Sequence, residues 1–371
     1  IFQTLSITLS IMSPDKKLKI IHTEASPHWG GQEIRIFEEM KWFREQGHEM
    51  ILVAPDDGTL YKRCKQEGFQ VIPVYFTKPR TLLNVLIMLW VLWRLKPDVV
   101  GTHSSTDSWA GLTASYLLRV RKRVRFRHVS TKVRKNFFNG FQYKYLANLI
   151  ITTGDCISTP ISDIFCLQPN TIHTIPTGIS LNEKIPNKES CRKMLLDELN
   201  LSNESRFIGQ VSVLRSWKGL EELIDAYEIV SKRIDSLHLV IVGEGPPMRK
   251  VLEDKITKED LGSIVHLVGH KENPLPYMRA FDAVILSSLK NEGIPQALLR
   301  AMSLGSCVIG TRVGGIPEII THEVTGLLAE PGDEKSLAKQ IQKALENYEL
   351  ANRLGENAEL YLSLIHISEP T

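Results

Sequence analysis

The residues best set up for chemistry are Glu292 and its neighbours, in the stretch SSLKNEGIPQALLRAMSLGSCVIGTRVGGIPEII at positions 287–320. An apolar run at 283–286 reads as a buried strand, and Pro295 stands where proline favours a helix start. Ala297, Leu298, Ala301 and Met302 form one face of a short helix, Gly305 gives it a left-handed stop, and 307–310 reads as the next buried strand. Such a β-loop-α-β unit places its loop at the carboxyl edge of the sheet. There the unpaired N–H groups of the helix start and the helix dipole favour an anion, and a phosphate is the natural guest. The backbone at that helix start would hold the phosphate, while Glu292 accepts hydrogen bonds from neutral hydroxyls of the same ligand. Phosphate with hydroxyls suggests a nucleotide-sugar, although an ordinary βαβ turn with a solvated glutamate gives this loop the same sequence.

Other strand-end loops carry related residues. RSWKG puts Arg215 and Lys218 beside a second helix start, where a planar fork and a point charge would neutralise a diphosphate, or else remain surface charge. Gly243 and Gly245 in VGEGP, and Gly314 and Gly315 in VGGIPE, suit close backbone approach. Gly30 and Gly31 sit just before a helix at 34–46, in a turn open to phosphate or merely tight. His103 ends the strand in PDVVGTHSS and so borders the ligand crevice of an open α/β sheet, as a structural histidine there also would. His270 closes another strand, IVHLVGH.

These loops need a scaffold, and the pattern supplies one twice. In the first half, strands at 17–23, 48–55, 69–76, 97–105, within 124–130, at 148–153 and at 171–176 alternate with helices at 34–46, 58–67 and 81–95. The second half repeats this with strands at 206–214, 237–246 and 264–270 and helices at 220–232, near 248–258 and near Tyr277, followed by the unit around Glu292. The expectation is an α/β protein of two Rossmann-like, doubly wound domains, at 12–175 and 176–362, joined at IPTGIS (175–180). Residues 1–11, which precede a strand after Met12, and 363–371, which break the helical pattern, read as non-native tails.

A length of 371 residues, 43% of them hydrophobic, supports two cores. Five cysteines without a C-x-x-C or a zinc-like His spacing point to reduced thiols in a cytoplasmic protein with no metal site. The net charge of +3 hides an asymmetry: residues 1–175 hold 23 Lys and Arg against 14 Asp and Glu, and the remainder 22 against 28. The run from Arg119 to Lys135 has no acid; it suits anionic lipid heads or a phosphorylated acceptor, or is a solvated face, and its thin aromatic interleaving argues against nucleic acid. The segment TLLNVLIMLWVLWRL (81–95) is too short to span a bilayer and reads as a buried helix first and a membrane-surface helix second.

Taken in order, WGGQE, the PDVV strand ending in His103, IPTGIS, RSWKGLEELIDAY, VGEGP, NEGIPQALLRAM, VGGIPEII and TGLLAEPGD resemble a GT-B glycosyltransferase of family four over roughly residues 17–345. The resemblance implies two Rossmann-like domains facing a cleft, the second binding a nucleotide-sugar and the first an acceptor. It further implies transfer with retention, without a metal ion or other cofactor, to a glycan or lipid-linked acceptor of the cell envelope such as lipopolysaccharide; a place at the inner face of the membrane is a separate expectation, resting on residues 81–95 and the basic run. His103, Glu292, Arg215 and Lys218 are the implied catalytic set, and Gly30, Gly31, Gly245, His270, Gly293, Ile294, Pro295 and Arg300 the implied donor-binding set. Arg300 departs from the family, whose E-x7-E pattern has a second glutamate there to accept the ribose hydroxyls; arginine has no acceptor. Val213 stands where many relatives carry the arginine of the basic pair, so Arg215 must substitute. A closing helix usual in relatives is expected to be lost after about Leu362. Two other readings stay open: a degenerate relative that binds nucleotide or glycan without chemistry, and a nucleotide-sugar 2-epimerase.

Overall fold

The computed structural model describes residues 17–178 and 185–366; hinge positions 179 and 180 and the tail positions 1–11 and 367–371 lie outside the described residues. The chain divides into two compact units, Ile1–Gly178 and Ile179–Thr371.

The first unit is built on seven strands, β1 (Lys19–Thr23), β2 (Glu49–Ala54), β3 (Gln70–Pro73), β4 (Val99–Thr102), β5 (Lys122–Arg127), β6 (Leu149–Thr152) and β7 (Ile172–Thr174). They lie in the order β3-β2-β1-β4-β5-β6-β7, every pair parallel. Unbroken buried runs such as LIIT in β6 are what a strand covered on both faces requires. Helices α1 (Gly31–Glu45) and α2 (Thr59–Gln66) cover the face that carries Ile20 and Leu52. On the other face, with Ile21 and Ile51, lie α3 (Thr81–Leu95) and α4 (Ser105–Leu117). That layer continues through α5 (Phe137–Phe141), a π-helical turn at Gln142–Leu146, and α6 (Asp155–Phe165).

Three local expectations change here. Helix α1 begins at Gly31, three residues early, because the Glu33 carboxylate accepts the Gly30 N–H at 2.9 Å and caps the first turn, so Gly31 is helical and Gly30 is the cap. Strand β5 begins at Lys122, so the basic run contributes structural cations: buried Arg125 donates to the carbonyls of His103 and Phe126, both at 2.8 Å. Helix α3 is not buried all round. Only Asn84, Met88, Val91 and Leu92 are buried, and the opposite stripe faces outward, because one face of an outer-layer helix suffices to cover the sheet.

The second unit has six parallel strands, β8 (Arg206–Val211), β9 (Leu237–Val242), β10 (Val265–Gly269), β11 (Ala283–Leu286), β12 (Val308–Thr311) and β13 (Leu327–Ala329), in the order β10-β9-β8-β11-β12-β13. Its helices are α7 (Lys188–Leu199), α8 (Leu220–Ser231), α9 (Met248–Lys258), α10 (Leu275–Ala280), α11 (Gln296–Ser303), α12 (Ile316–Ile319), α13 (Glu334–Glu346) and α14 (Tyr348–His366). α8, α9 and α13 share one core with Leu239 and Ile285, and α7, α10, α11 and α14 the other with Val240 and Val284. β8 stops three residues earlier than expected, since Leu214 leaves the strand line to donate its N–H to Glu244 O at 2.9 Å. α14 continues past Leu362 to His366, so the helical pattern is unbroken at 363. In each sheet the strand order reverses once, between β1 and β4 and between β8 and β11, and open α/β sheets bind ligands beyond the strand ends at that point.

Candidate active site

At the reversal point of the second sheet, the loop after β8 meets the loop after β11. Gln210, fully buried near the end of β8, accepts from the Ser287 N–H at 3.0 Å and the Ser287 hydroxyl at 2.8 Å, and its Nε2 donates to Lys218 O at 3.2 Å. Gly219 then lets the two backbones touch: its φ is +64°, and a Cβ there would lie 2.0 Å from Ser287 O. The consequence is a short ion pair, Lys218 Nζ to Glu292 Oε1 at 2.5 Å, with the Ser288 hydroxyl donating to the same oxygen at 2.6 Å. Glu292 is only 6% exposed while Lys218 is half-buried, so the carboxylate end of the pair is held out of water, where an unpartnered charge would cost several kcal/mol. Gly314 presses on the same loop from behind, its virtual Cβ 2.0 Å from Glu292 O.

Gly293, Ile294 and Pro295 are buried beside this pair, and Pro295 caps α11, whose first amides have no partner within the helix. Arg215 opens the turn Ser216–Lys218, half-buried, with its guanidinium 6.0 Å from the centre of the Trp217 ring. Lys218, Glu292, Arg215 and the start of α11 are thus brought to one sheet edge. Gly245 is accounted for by packing, since a Cβ there would lie 2.3 Å from Leu214 O. His270 is exposed just past β10, two strands from β8, and is not drawn into the Lys218–Glu292 cluster. Arg300, the fifth residue of α11, is half-buried, and among the described residues its guanidinium makes no hydrogen bond or ion pair.

The first unit gathers a different cluster at its own reversal point. β1, β4 and β5 are neighbours, and a histidine stands at or just past the carboxyl end of each: His22, His103 and His128. His103 Nε2 lies 2.7 Å from His22 Nδ1 and its Nδ1 lies 2.9 Å from His128 Nε2; Phe126 stacks on the His103 ring at 4.4 Å. Gly101 leaves room for these rings, because a Cβ there would be 2.9 Å from Phe126. Burial lowers His22 to about 4 and His103 and His128 well below the usual range, with nearby cationic groups adding to it, so all three are neutral near neutrality. A neutral ring donates from one nitrogen and accepts at the other, so this chain allows only two proton arrangements. His22 Nε2 is buried without a partner, and an orphaned N–H is rarer than an orphaned acceptor. That favours Nδ1–H on all three rings.

Acidic groups surround the triad. Asp107 accepts the His103 N–H at 2.9 Å and the Thr23 hydroxyl at 2.6 Å, and burial together with the Glu24 charge raises it to about 7. Glu24, fully buried, accepts from the Ser26 N–H at 2.8 Å and from Gln32 and Ser104 at 2.5 Å, tying the loop after β1 to that after β4. His22, His128, Asp107, Glu24, Gln210 and Ser288 were not legible as site residues from sequence. Their only signal is a polar residue at a strand end, and it acquires meaning once the strand order makes those ends neighbours. Among the described residues, no group of three or more His, Cys, Asp or Glu is placed to hold a metal ion.

Residues 29–183 match the family model described as Glycosyltransferase Family 4, and 192–361 match the one described as Glycosyl transferases group 1. The UDP-Gal:alpha-D-GlcNAc-diphosphoundecaprenol alpha-1,3-galactosyltransferase of Escherichia coli is 23% identical over 95% of this chain and 99% of its own. Among solved structures, a glycosyltransferase from Rickettsia africae superposes with a TM-score of 0.82 at 20% identity, covering 94% of each chain. HepE of Anabaena, in complex with UDP, superposes with a TM-score of 0.78 at 22% identity, covering 94% of this chain and 95% of its own. Two matched models spanning both units, over two parallel sheets of this topology, place the protein in family four of the glycosyltransferases, with the GT-B fold.

Proposed function

We propose that the protein is a retaining glycosyltransferase that moves a sugar from a nucleoside-diphosphate donor to a hydroxyl of a cell-envelope glycan or lipid-linked acceptor, without a metal ion. The observation that carries this is the Lys218–Glu292 pair, its carboxylate buried, beside the start of α11. A donor offers each partner something better: its diphosphate takes Lys218 and Arg215, and its sugar hydroxyls donate to the Glu292 carboxylate that is thereby released. As the bond between the anomeric carbon and the phosphate oxygen breaks, negative charge grows on the leaving diphosphate. Lys218, Arg215 and the α11 amides stabilise that charge, which is the main catalytic contribution. The acceptor oxygen bonds the anomeric carbon on the face the diphosphate leaves, and its proton passes to a phosphate oxygen. UDP bound to HepE and the diphosphoundecaprenol acceptor named for the Escherichia coli relative support a nucleotide-sugar donor and a lipid-linked acceptor.

The test is nucleotide release from UDP-, GDP- and ADP-sugars, with and without membrane extract. Release from one donor, increased by extract and lost in Glu292→Ala, is expected; normal turnover by Glu292→Ala would overturn the reading. The unpaired Arg300 guanidinium favours one alternative, a protein that binds nucleotide without transfer. UDP binding without turnover, with turnover restored by Arg300→Glu, would place that defect at α11.

A further inference from the structure

We infer that the α3–α4–α5 layer of the first unit is a docking surface for an anionic lipid bilayer, with α3 lying in the plane of the interface. The first observation is an inverted helix. The polar side chain in the first turn of α3, Asn84, points inward and donates to Tyr75 O at 3.1 Å, whereas Leu82 (83% exposed), Leu83, Leu86, Trp90 and Trp93 (65% exposed) form the outward stripe. A water-facing helix would place these the other way round. Fifteen residues reach only about 22 Å, short of a roughly 30 Å hydrocarbon core, and no helix among the described residues is long and apolar enough to cross a membrane. Two outward tryptophans suit the headgroup level, and the Arg94 guanidinium lies over the Trp90 ring at 5.6 Å with its charge at the helix end.

The second observation lies on the other side of α4. Helix α4 packs on α3 through Ala110 and Ala114 and on the π-helical turn through Leu112. Beyond it Phe137 (79% exposed), Phe138, Phe141 and Tyr145 form a second outward aromatic group, and Phe138 meets Trp109 of α4 edge-on at 6.4 Å. Two apolar groups therefore flank α4.

Charge selects the occupant. Residues 68–154, which contain the whole layer, hold 14 Lys and Arg, of which Arg125 is buried, and only two acids, Asp98 and Asp107, the latter fully buried. Exposed cations border both groups: Lys78, Arg80 and Lys96 at the ends of α3, and Lys132, Lys135 and Lys144 around α5. A surface that combines Leu and Trp with cations fits an anionic membrane, where each cation near the surface strengthens binding by roughly fivefold. Duplex nucleic acid would satisfy the cations alone, and a second, equally cationic copy would repel them.

This surface deepens the proposed function by bringing the enzyme to a lipid-linked acceptor, and it is tested separately from it. The full chain is sedimented with vesicles of phosphatidylcholine, with and without roughly 30% phosphatidylglycerol. Binding to the anionic vesicles at low salt is expected, with a drop of at least about tenfold in the Leu86→Asp/Trp90→Asp variant, whose fold is checked by circular dichroism. The Lys132→Ala/Lys135→Ala variant should weaken binding about 25-fold through charge alone. Three results would overturn the inference: no wild-type binding at low salt; equal binding by the Leu86/Trp90 variant; or a dimer in sedimentation velocity that this variant dissociates while vesicle binding persists. Vesicle binding with a silent donor panel would refute the proposed transferase and leave this surface standing, and the reverse pattern would refute the surface alone.

Discussion

Replacing Gly219 with alanine tests whether the Lys218–Glu292 pair depends on one backbone contact. At φ +64° an L-residue costs roughly 1–2 kcal/mol for its left-handed conformation. Its Cβ would also sit 2.0 Å from Ser287 O, and because that obstacle is backbone and not a movable side-chain tip, the two loops must part by about 1 Å. Overpacking of this kind adds roughly 1–3 kcal/mol, for a total of about 2–5 kcal/mol. The same displacement would stretch the 2.5 Å contact between Lys218 and Glu292 to about 3.5 Å, beyond a good hydrogen bond. Gly68 supplies the control: its φ is +77°, but nothing lies within 4 Å of its virtual Cβ, so alanine there carries the conformational cost alone. Urea unfolding followed by circular dichroism, and calorimetric titration with UDP, compare the two variants. Gly219→Ala should lose more stability than Gly68→Ala and bind UDP more weakly, because the parted loops carry Lys218 away from the α11 amides with which it would share a diphosphate, while Gly68→Ala binds it normally. Equal stability loss and equal UDP affinity would refute the proposed coupling between the loops.

Glu292→Gln leaves Lys218 without its competing anion, so UDP should bind at least as tightly while transfer falls by about a hundredfold or more; parallel loss of both would show that Glu292 is needed to build the phosphate site. Glu33 is raised from 4.5 to about 7, chiefly by burial and then by the Glu24 charge, so between those values the folded chain holds more protons than the unfolded one and this group's contribution to stability falls as pH rises. Glu33→Gln should therefore gain urea stability relative to wild type at about pH 8 compared with about pH 5, and a difference that is flat in pH would contradict the assignment. Nitrogen-15 NMR of the imidazoles should show Nδ1–H on His22, His103 and His128 in the folded protein; a proton on His22 Nε2 would mean that the chain runs the other way.

Much of the second unit was legible because its signals are local. The run Ala283–Leu286 is a buried strand, Pro295 caps an eight-residue helix, and Gly305 stops it at φ +63°, as apolar periodicity and the conformational limits of proline and glycine require. The early start of α1 was missed because the Glu33 cap competes with the turn propensity of two glycines. For α3 a buried helix stood ahead of a membrane-surface one because a segment apolar almost throughout has no periodicity to say which side is covered.

What the sequence determined by itself is the alternation of buried strands and helices in two halves, and the loop that follows each strand, since those follow from side-chain hydrophobicity and backbone preference within a few positions. Tertiary structure decided which ends became neighbours. Lys218 and Glu292 are 74 positions apart, and His22 and His103 are 81 apart. Only the crossover that sets β11 beside β8 and β4 beside β1 brings each pair within hydrogen-bonding distance, because strand order in a parallel sheet is fixed by how the helix layers pack and not by any one strand.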